Sequence, residues 1–275
     1  MRVVTWNINS VNARLDRLTA WLEAHQPDVV ALQELKCTTE AFPTDAVAAL
    51  GYEVAALGDG RWNGVALLSR VGLADVRRNL DAQPEFDGVI EPRAIGATCG
   101  GVRVWSVYVP NGREPDHAHF DYKLAWLAAL KTTVDAEKAA GAALPYAVIG
   151  DFNVAPNDDD VWDMAEFVNA THVTPAERAA VAALKASGLD EVMPRALKGK
   201  PYTFWDYRAL AFQKAMGMRI DLIMANAAFR ARVRDAWVDR DERKIKGGSD
   251  HEIGRAPSEL QSHLNLVCRL LLEKK

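Results

Sequence analysis

Apolar runs of strand length recur along the chain, and most of them stop at a polar side chain. "RVVTWNINS" (2–10), "DVVALQE" (28–34), "GVALLS" (64–69), "VRVWSVYVP" (102–110), "YAVIGDFN" (146–153) and "RIDLIMAN" (219–226) read as strands. Several are apolar enough to be buried on both faces. Val11, Leu15, Leu18 and Leu22 fall at helical spacing in "VNARLDRLTAWLEAH", and helical patterns also fill 117–140 and 175–187. Strands outnumber helices. This predicts an α/β fold of two stacked sheets with helices outside, built as one domain.

The strand ends carry the functional signal. Asn7 and Asn9, Glu34, Tyr108 and Asn111, Asp151 and Asn153, and Asp221 all stand where an apolar run gives out. Side chains alternate faces along a strand, so Asp151 and Asn153 in "AVIGDFN" point the same way. Asn and Asp also terminate strands merely by making turns. Turn-making alone does not explain why so many ends carry carboxylate or amide instead of Gly or Ser. Converging at one edge of a sandwich, these ends would line a polar cleft.

Composition narrows the choices. Apolar residues make up 49% of the 275 positions and charged residues 25%, as in ordinary globular proteins. "MRVVTWNIN" lacks the pattern of a signal peptide, and no run reaches membrane-spanning length, so the expectation is a cytoplasmic protein without a membrane partner. Cys37, Cys99 and Cys268 have no metal-like spacing. A formal charge of −4 argues weakly against nucleic acid, but a local basic face or a bound cation can attract phosphate regardless.

The polar set suits phosphodiester hydrolysis. Mg²⁺ favours oxygen ligands, often only one or two carboxylates, and Glu34 in "LQELK" and Asp250 in "GGSDHEIG" fit that sparse arrangement. Asp151 can accept the proton of an attacking water. Asn153, Asn7, Asn111 and the Tyr108 hydroxyl can donate to phosphate oxygens. His251 can contact the phosphate too, with Asp221 orienting its ring and favouring the protonated form. No nucleophile elbow, Walker loop or dinucleotide fingerprint competes.

"TWNIN", "LQELK", "NGVALLSR", "VYVPNG", "GDFNVAP", "YTFWDYR", "RIDLI" and "SDH" resemble, in order and spacing, the exonuclease III family of abasic-site endonucleases within the endonuclease/exonuclease/phosphatase superfamily. The resemblance spans residues 1–251 and implies a DNase I-like, four-layer α/β/β/α sandwich. It implies a Mg²⁺-dependent nuclease, with Mn²⁺ as a substitute, that cleaves 5′ of abasic sites and removes nucleotides 3′→5′ as a monomer on double-stranded DNA. By the same resemblance Glu34 is the principal metal ligand with Asn7 and Asn9 beside it. Asp151, Asn153 and His251 are shared between metal and catalysis, and Asp250 marks a second metal position. Tyr108 and Asn111 resemble phosphate contacts. Asp151 and His251 both remain candidates for the base; Asp151 is favoured, because a His251 paired to a carboxylate stays charged. Another superfamily phosphodiesterase, acting on RNA or a phospholipid headgroup, and a catalytically impaired DNA-binding relative are the alternatives.

Substrate contacts rest on the same comparison. Phe204, Met218 and Ile220 resemble an apolar pocket that admits a flipped, base-less sugar. Met218 stands where some relatives have an aromatic residue. On residue type alone "YTFWDYR", with Tyr202, Phe204, Trp205 and Tyr207, reads as a core strand; Trp205 joins the substrate contacts by resemblance. Arg61, Arg93, Lys123 and Arg208 are candidates for gripping DNA phosphates, and His117 and His119 read as loop residues. After "SDH" the sequence "EIGRAPSELQSHLNLVCRLLLEKK" (252–275) departs from the family pattern and resembles translated sequencing-adapter reads. The expectation is a non-native tail, its apolar "HLNLVCRLLL" standing in for the final strand.

Overall fold

The computed structural model describes residues 1–141, 144–197, 199–238 and 248–251, together with the backbone of Val267–Cys268. In chain order the elements are β1 (Val3–Asn7), α1 (Leu15–His25), β2 (Val29–Gln33), α2 (Thr44–Ala48), β3 (Glu53–Leu57), β4 (Val65–Ser69), β5 (Ala74–Arg78), β6 (Ala94–Cys99) and β7 (Val102–Tyr108). There follow α3 (Ala118–Gly141), β8 (Tyr146–Asp151), α4 (Pro175–Ala186), β9 (Asp190–Glu191), β10 (Arg195–Ala196), β11 (Asp221–Ala225), α5 (Ala227–Arg230), β12 (Trp237–Val238) and β13 (Val267–Cys268).

They form a seven-stranded sheet, ordered β10-β12-β13-β1-β2-β4-β3, and a six-stranded sheet, ordered β5-β6-β7-β8-β11-β9. Both are mixed: β1 and β2 run parallel, as do β7 and β8, while most other pairs are antiparallel. The facing sides share one core, in which Val3, Val29, Ala31 and Leu67 meet Ile95, Val104, Ala147 and Ile149. On the outer face of the first sheet, Val4, Trp6 and Val30 pack against Leu18, Trp21 and Leu22 of α1. On the outer face of the second, Trp105 and Val148 pack against Trp126 and Leu130 of α3 and Leu184 of α4. The result is the expected α/β/β/α sandwich, with strands apolar on both sides because both sides are covered.

The β1–β2 and β7–β8 pairs are strand–helix–strand crossovers, β1–α1–β2 and β7–α3–β8, so their carboxyl ends lie on one edge. Asn7 is aligned with Gln33, and Tyr108 with Asp151. Antiparallel β11 starts where β8 stops, placing Asp221 opposite Asp151. A buried polar network crosses the intersheet core: Gln33 Nε2 donates to Ser106 Oγ at 3.0 Å, Ser106 Oγ donates to Leu32 O at 3.0 Å, and Thr5 Oγ1 donates to Gln33 Oε1 at 3.2 Å.

The structure adds strands that the pattern did not suggest: the two-residue β9, β10 and β12, and the longer β3, β5 and β6. β3 ("EVAAL") and β6 ("AIGATC") are rich in small residues, and β5 ("ADVRR") is a largely polar edge strand. Gly96 in β6 has a specific reason: a Cβ there would lie 2.4 Å from the Trp105 ring. Of 252–275, only Val267–Cys268 is described, paired antiparallel with Val3–Val4 of β1. The remainder of the expectation placed on that tail lies outside the described residues. Among the described residues no helix is long and apolar enough to cross a membrane.

Candidate active site

The edge where the parallel strands end gathers residues distant in sequence into one buried cluster. Asn7, at the end of β1, donates from its single Nδ2 to Glu34 Oε1 at 2.8 Å and Asp151 Oδ2 at 2.9 Å. Ligand atoms of Glu34, Asp151 and His251 all lie within 4.8 Å of one another. His251 stands between two carboxylates: Nδ1 is 2.9 Å from Asp221 Oδ2, and Nε2 is 3.6 Å from Asp151 Oδ2. Lys36 Nζ meets Glu34 Oε2 at 2.9 Å and Asn9 Oδ1 at 2.6 Å, while Asn9 Nδ2 donates to Asp250 Oδ1 at 2.7 Å.

Local backbone explains how the strands deliver these groups. Chains leaving a sheet at its edge must turn at once, and here they do so through left-handed residues: Asn9 (φ 46°), Glu34 (φ 53°), Lys36 (φ 52°) and Asn153 (φ 49°). Asn tolerates that region, whereas Glu and Lys pay about 1 kcal/mol or more in strain, of the kind that collects at functional sites. Asp151 and Asn153 thus meet by a turn and not by strand alternation: Asn153 N donates to Asp151 Oδ1 at 2.8 Å. Gly150 is required just before it, since its φ is +147° and a Cβ would lie 2.0 Å from Val107 O.

The charges are unbalanced. Four carboxylates (Glu34, Asp151, Asp221, Asp250) face Lys36 and His251. Burial pushes the Asp151 carboxyl up to about 7; the His251 charge opposes the rise, while Asp221 and Glu34 add to it. Burial alone would favour a neutral His251, but the Asp221 and Asp151 carboxylates outweigh it and raise the ring to about 10. Tyr108 is held far above the usual phenol range by burial and by its hydrogen bond to Glu34, so its hydroxyl stays protonated. Ligand atoms of Glu34, Asp151 and His251 lie close enough to share one cation, and the two carboxylates supply the sparse, hard, negatively charged oxygens that fit Mg²⁺ or Mn²⁺.

Several expectations need correction. Asn7, expected as a metal ligand, turns its NH₂ to the carboxylates and its Oδ1 to the Asn9 amide at 3.1 Å. Asp250, expected at a second metal position, accepts from Asn9 Nδ2 apart from the Glu34–Asp151–His251 cluster, which leaves that expectation as it stood. Asn153 Nδ2 donates to Val109 O at 3.0 Å and Oδ1 accepts from Asn111 Nδ2 at 3.2 Å, so both ends of its amide are engaged away from the Glu34 and Asp151 carboxylates. Lys123, expected to grip DNA, is fully buried in an ion pair with Glu177. Arg93 is buried as well, ion-paired to Glu91 and stacked 4.8 Å over the Tyr108 ring. Trp205 is no substrate contact; it lies in a core cluster with Tyr202 and Ala211, and only its backbone reaches the site, donating to Asp250 O at 3.0 Å. "YTFWDYR" is irregular apart from a bridge at Phe204 and the 3-10 turn that Arg208 begins.

The apolar candidates lie beside His251. Phe204, Met218 and Ile220 form one apolar cluster, and the Phe204 ring is 4.9 Å from that of His251. Arg61 is exposed, as is Arg208, which is ion-paired to Asp206 at 2.7 Å. Residue patterning missed Lys36, Thr203, Ser249 and His172. Thr203 Oγ1 accepts from the Ile220 and Asp221 amides, Ser249 Oγ donates to Asn7 O, and His172 Nδ1 is 2.6 Å from Asn153 O. Lys36, Thr203 and Ser249 sit inside the motifs quoted above; His172 carries no signal at all.

His119 is also a correction: it is buried inside α3, where Nδ1 accepts from Gly112 N at 3.1 Å. Burial lowers it to about 4, helped by the Arg93 and Arg113 charges. Below pH 6.5 the unfolded chain therefore takes up a proton that the folded ring refuses, so stability falls as pH drops from 6.5 to 4. Relative to wild type, His119→Gln should lose about 2 kcal/mol less over that interval, measured by urea denaturation at pH 7 and 4.5. Parallel losses in the two proteins would contradict this.

The Endonuclease/Exonuclease/phosphatase family profile matches residues 4–251. Exodeoxyribonuclease III of Haemophilus influenzae is 31% identical, over 91% of this chain and 97% of that protein. Among solved structures, a 3′-5′ exonuclease from Neisseria meningitidis is 37% identical with a TM-score of 0.86, covering 92% of this chain and 97% of its own. An AP endonuclease from Archaeoglobus fulgidus is 31% identical with a TM-score of 0.84, covering 91% and 96%.

Proposed function

The chain belongs to the Endonuclease/Exonuclease/phosphatase family, and from that premise we propose that it is a Mg²⁺-dependent DNA-repair nuclease that hydrolyses the phosphodiester 5′ of abasic sites and trims duplex 3′ ends. The observation that carries the reading is the joining of Glu34, Asp151 and His251 within one buried cluster at the strand ends. The substrate class follows the named relatives, an exodeoxyribonuclease III, a 3′-5′ exonuclease and an AP endonuclease.

Each residue then has a chemical task. Asp151 Oδ2, the less solvated base of the pair, takes the proton of the attacking water. The His251 imidazolium, oriented by Asp221, presents positive charge to the developing oxyanion. Asn153 and Asn111, joined amide to amide, offer donors to the non-bridging phosphate oxygens. Glu34 and Asp151 would hold a divalent cation, which supplies Lewis-acid stabilisation of the phosphate charge when bound. Phe204, Met218 and Ile220 offer a small apolar recess beside His251 for an extruded sugar.

The test uses one purified protein on three substrates: a duplex with a tetrahydrofuran abasic analogue, a recessed 3′ end and single-stranded RNA. With Mg²⁺ the abasic duplex should be nicked on its 5′ side and the 3′ end shortened, and EDTA should abolish both. Cleavage confined to RNA, or full activity in EDTA, would overturn the reading.

A further inference from the structure

Lys123 lies on α3 with no solvent exposure, beneath the loops that carry Asn111 and Asn153. Its ammonium is paired with Glu177, itself fully buried, and donates to Asn153 O at 2.7 Å, to Asn111 O at 3.0 Å and to Thr171 Oγ1 at 3.3 Å. Thr171 Oγ1 also lies 3.0 Å from Asn111 O and 2.7 Å from Glu177 Oε1. The loop closes directly on this network: Gly112 has φ +94°, and a Cβ there would come within 2.7 Å of Thr171 Oγ1 and 3.0 Å of Lys123 Cδ.

Two features make stability a poor explanation. First, Glu177 already completes the N-terminal capping box of α4 with Oε2 alone, which accepts from Thr174 N at 3.0 Å. Its Oε1 is turned inward, to Lys123 and to the His172 amide at 2.9 Å. Second, two ions taken out of water recover their hydration cost only with good geometry, and an apolar pair of similar volume is often at least as stable. What the ion pair does achieve is specific. It fixes two backbone carbonyls, from residues 42 positions apart, whose side chains bond each other, one of them on the residue whose backbone N–H donates to Asp151 Oδ1.

We propose that the buried Lys123–Glu177 pair is a positioning element of the hydrolytic site, clamping the carbonyls of Asn111 and Asn153 so that their amides face the scissile phosphate. The proposal rests on the nuclease reading above. The pair touches neither substrate nor cation; it acts through the two asparagines.

Replacing Lys123 alone would strand a buried carboxylate and threaten folding, so the test variant is Lys123→Met with Glu177→Gln, which removes both charges at nearly constant volume. In the folded full-length variant, kcat for abasic-duplex nicking should fall by about 30- to 100-fold, with KM and the Mg²⁺ requirement within about threefold of wild type. In an Asn153→Ala background the same pair of substitutions should cost less than about threefold more, because the effect already runs through Asn153. A variant that merely melts earlier but keeps its kcat, or one whose loss adds fully to that of Asn153→Ala, overturns the proposal. Hydrogen exchange of the backbone amides at 109–113 and 152–155 reads the clamp without any substrate. Protection there should drop selectively in the variant, and unchanged protection would sink the proposal. Should wild type cleave no DNA, the nuclease reading fails and the exchange result still decides the clamp.

Discussion

Asp151→Asn should yield a folded protein that binds DNA normally and turns it over at least about a thousandfold more slowly, as expected for loss of a positioned base. The substitution keeps shape: the amide oxygen can still accept from Asn153 N or from Asn7 Nδ2, the two bonds that seat the carboxylate at 2.8 and 2.9 Å. It removes the proton acceptor and one of the two carboxylate charges offered to the cation. Stability should move the other way. The folded carboxyl titrates near 7, above its ordinary value, so its ionised form opposes folding as pH rises past the unfolded pKa. At pH 8 without divalent cation, the variant should therefore melt at or above the wild-type temperature. Single-turnover nicking, fluorescence anisotropy on the same duplex and a thermal melt separate the three quantities. Turnover within tenfold of wild type would mean that Asp151 is not the base.

Glu34→Gln carries the second large effect. Glu34 is tied by Asn7 on one oxygen and by Lys36 on the other, so the backbone position survives the change, and Gln keeps a carbonyl oxygen in place. The lost charge is the one a cation needs most, because Asp151 is already weakened by its own burial. The Mg²⁺ concentration giving half-maximal rate should rise more than about tenfold, and the rate at saturating Mg²⁺ should fall by about 10²-fold, several kcal/mol of metal-borne stabilisation being at stake. A Mg²⁺ titration of initial rates checks both. Thermal stabilisation of wild type by Mg²⁺, absent in the variant, gives an independent reading through mass action. An unchanged Mg²⁺ midpoint would move the cation to other residues.

The sequence made the strand-end chemistry legible because it is a local property: an apolar run, then a carboxylate or amide. Glu34, Asp151 and Asp221 are readable in that way, His251 is readable from its place beside Asp250 in "GGSDHEIG", and the structure assembles the four. The strands β3, β5 and β6 were not, since small residues and an exposed polar edge carry no period-two signal. Gly96 reads as a strand breaker in isolation; its reason is the Trp105 ring on the neighbouring strand. The basic residues failed differently. Lys123 and Arg93 look like surface cations until their partners are known, and Glu177 is 54 residues from Lys123. Residue type gives charge, whereas burial depends on partners brought in by the fold. Asn7 shows a third limit: a carboxamide was foreseeable, but whether its oxygen or its nitrogen faces the carboxylates depends on the Asn9 amide behind it.

The hydrogen bond from Gln33 to Ser106 has a consequence beyond its own strength. Asn7 and Glu34 belong to one half of the sandwich; Tyr108, Asp151 and Asp221 belong to the other. The working centre is thus a seam, and its accuracy equals the accuracy with which the halves are registered. An apolar interface holds two slabs together without telling either how far to slide, while a directional bond one residue from Glu34 does. Together with the Ser106 hydroxyl, which donates in turn to Leu32 O at 3.0 Å, that glutamine acts as a dowel: without the pair the halves would still adhere, but the tools mounted on each would be registered only by their own contacts.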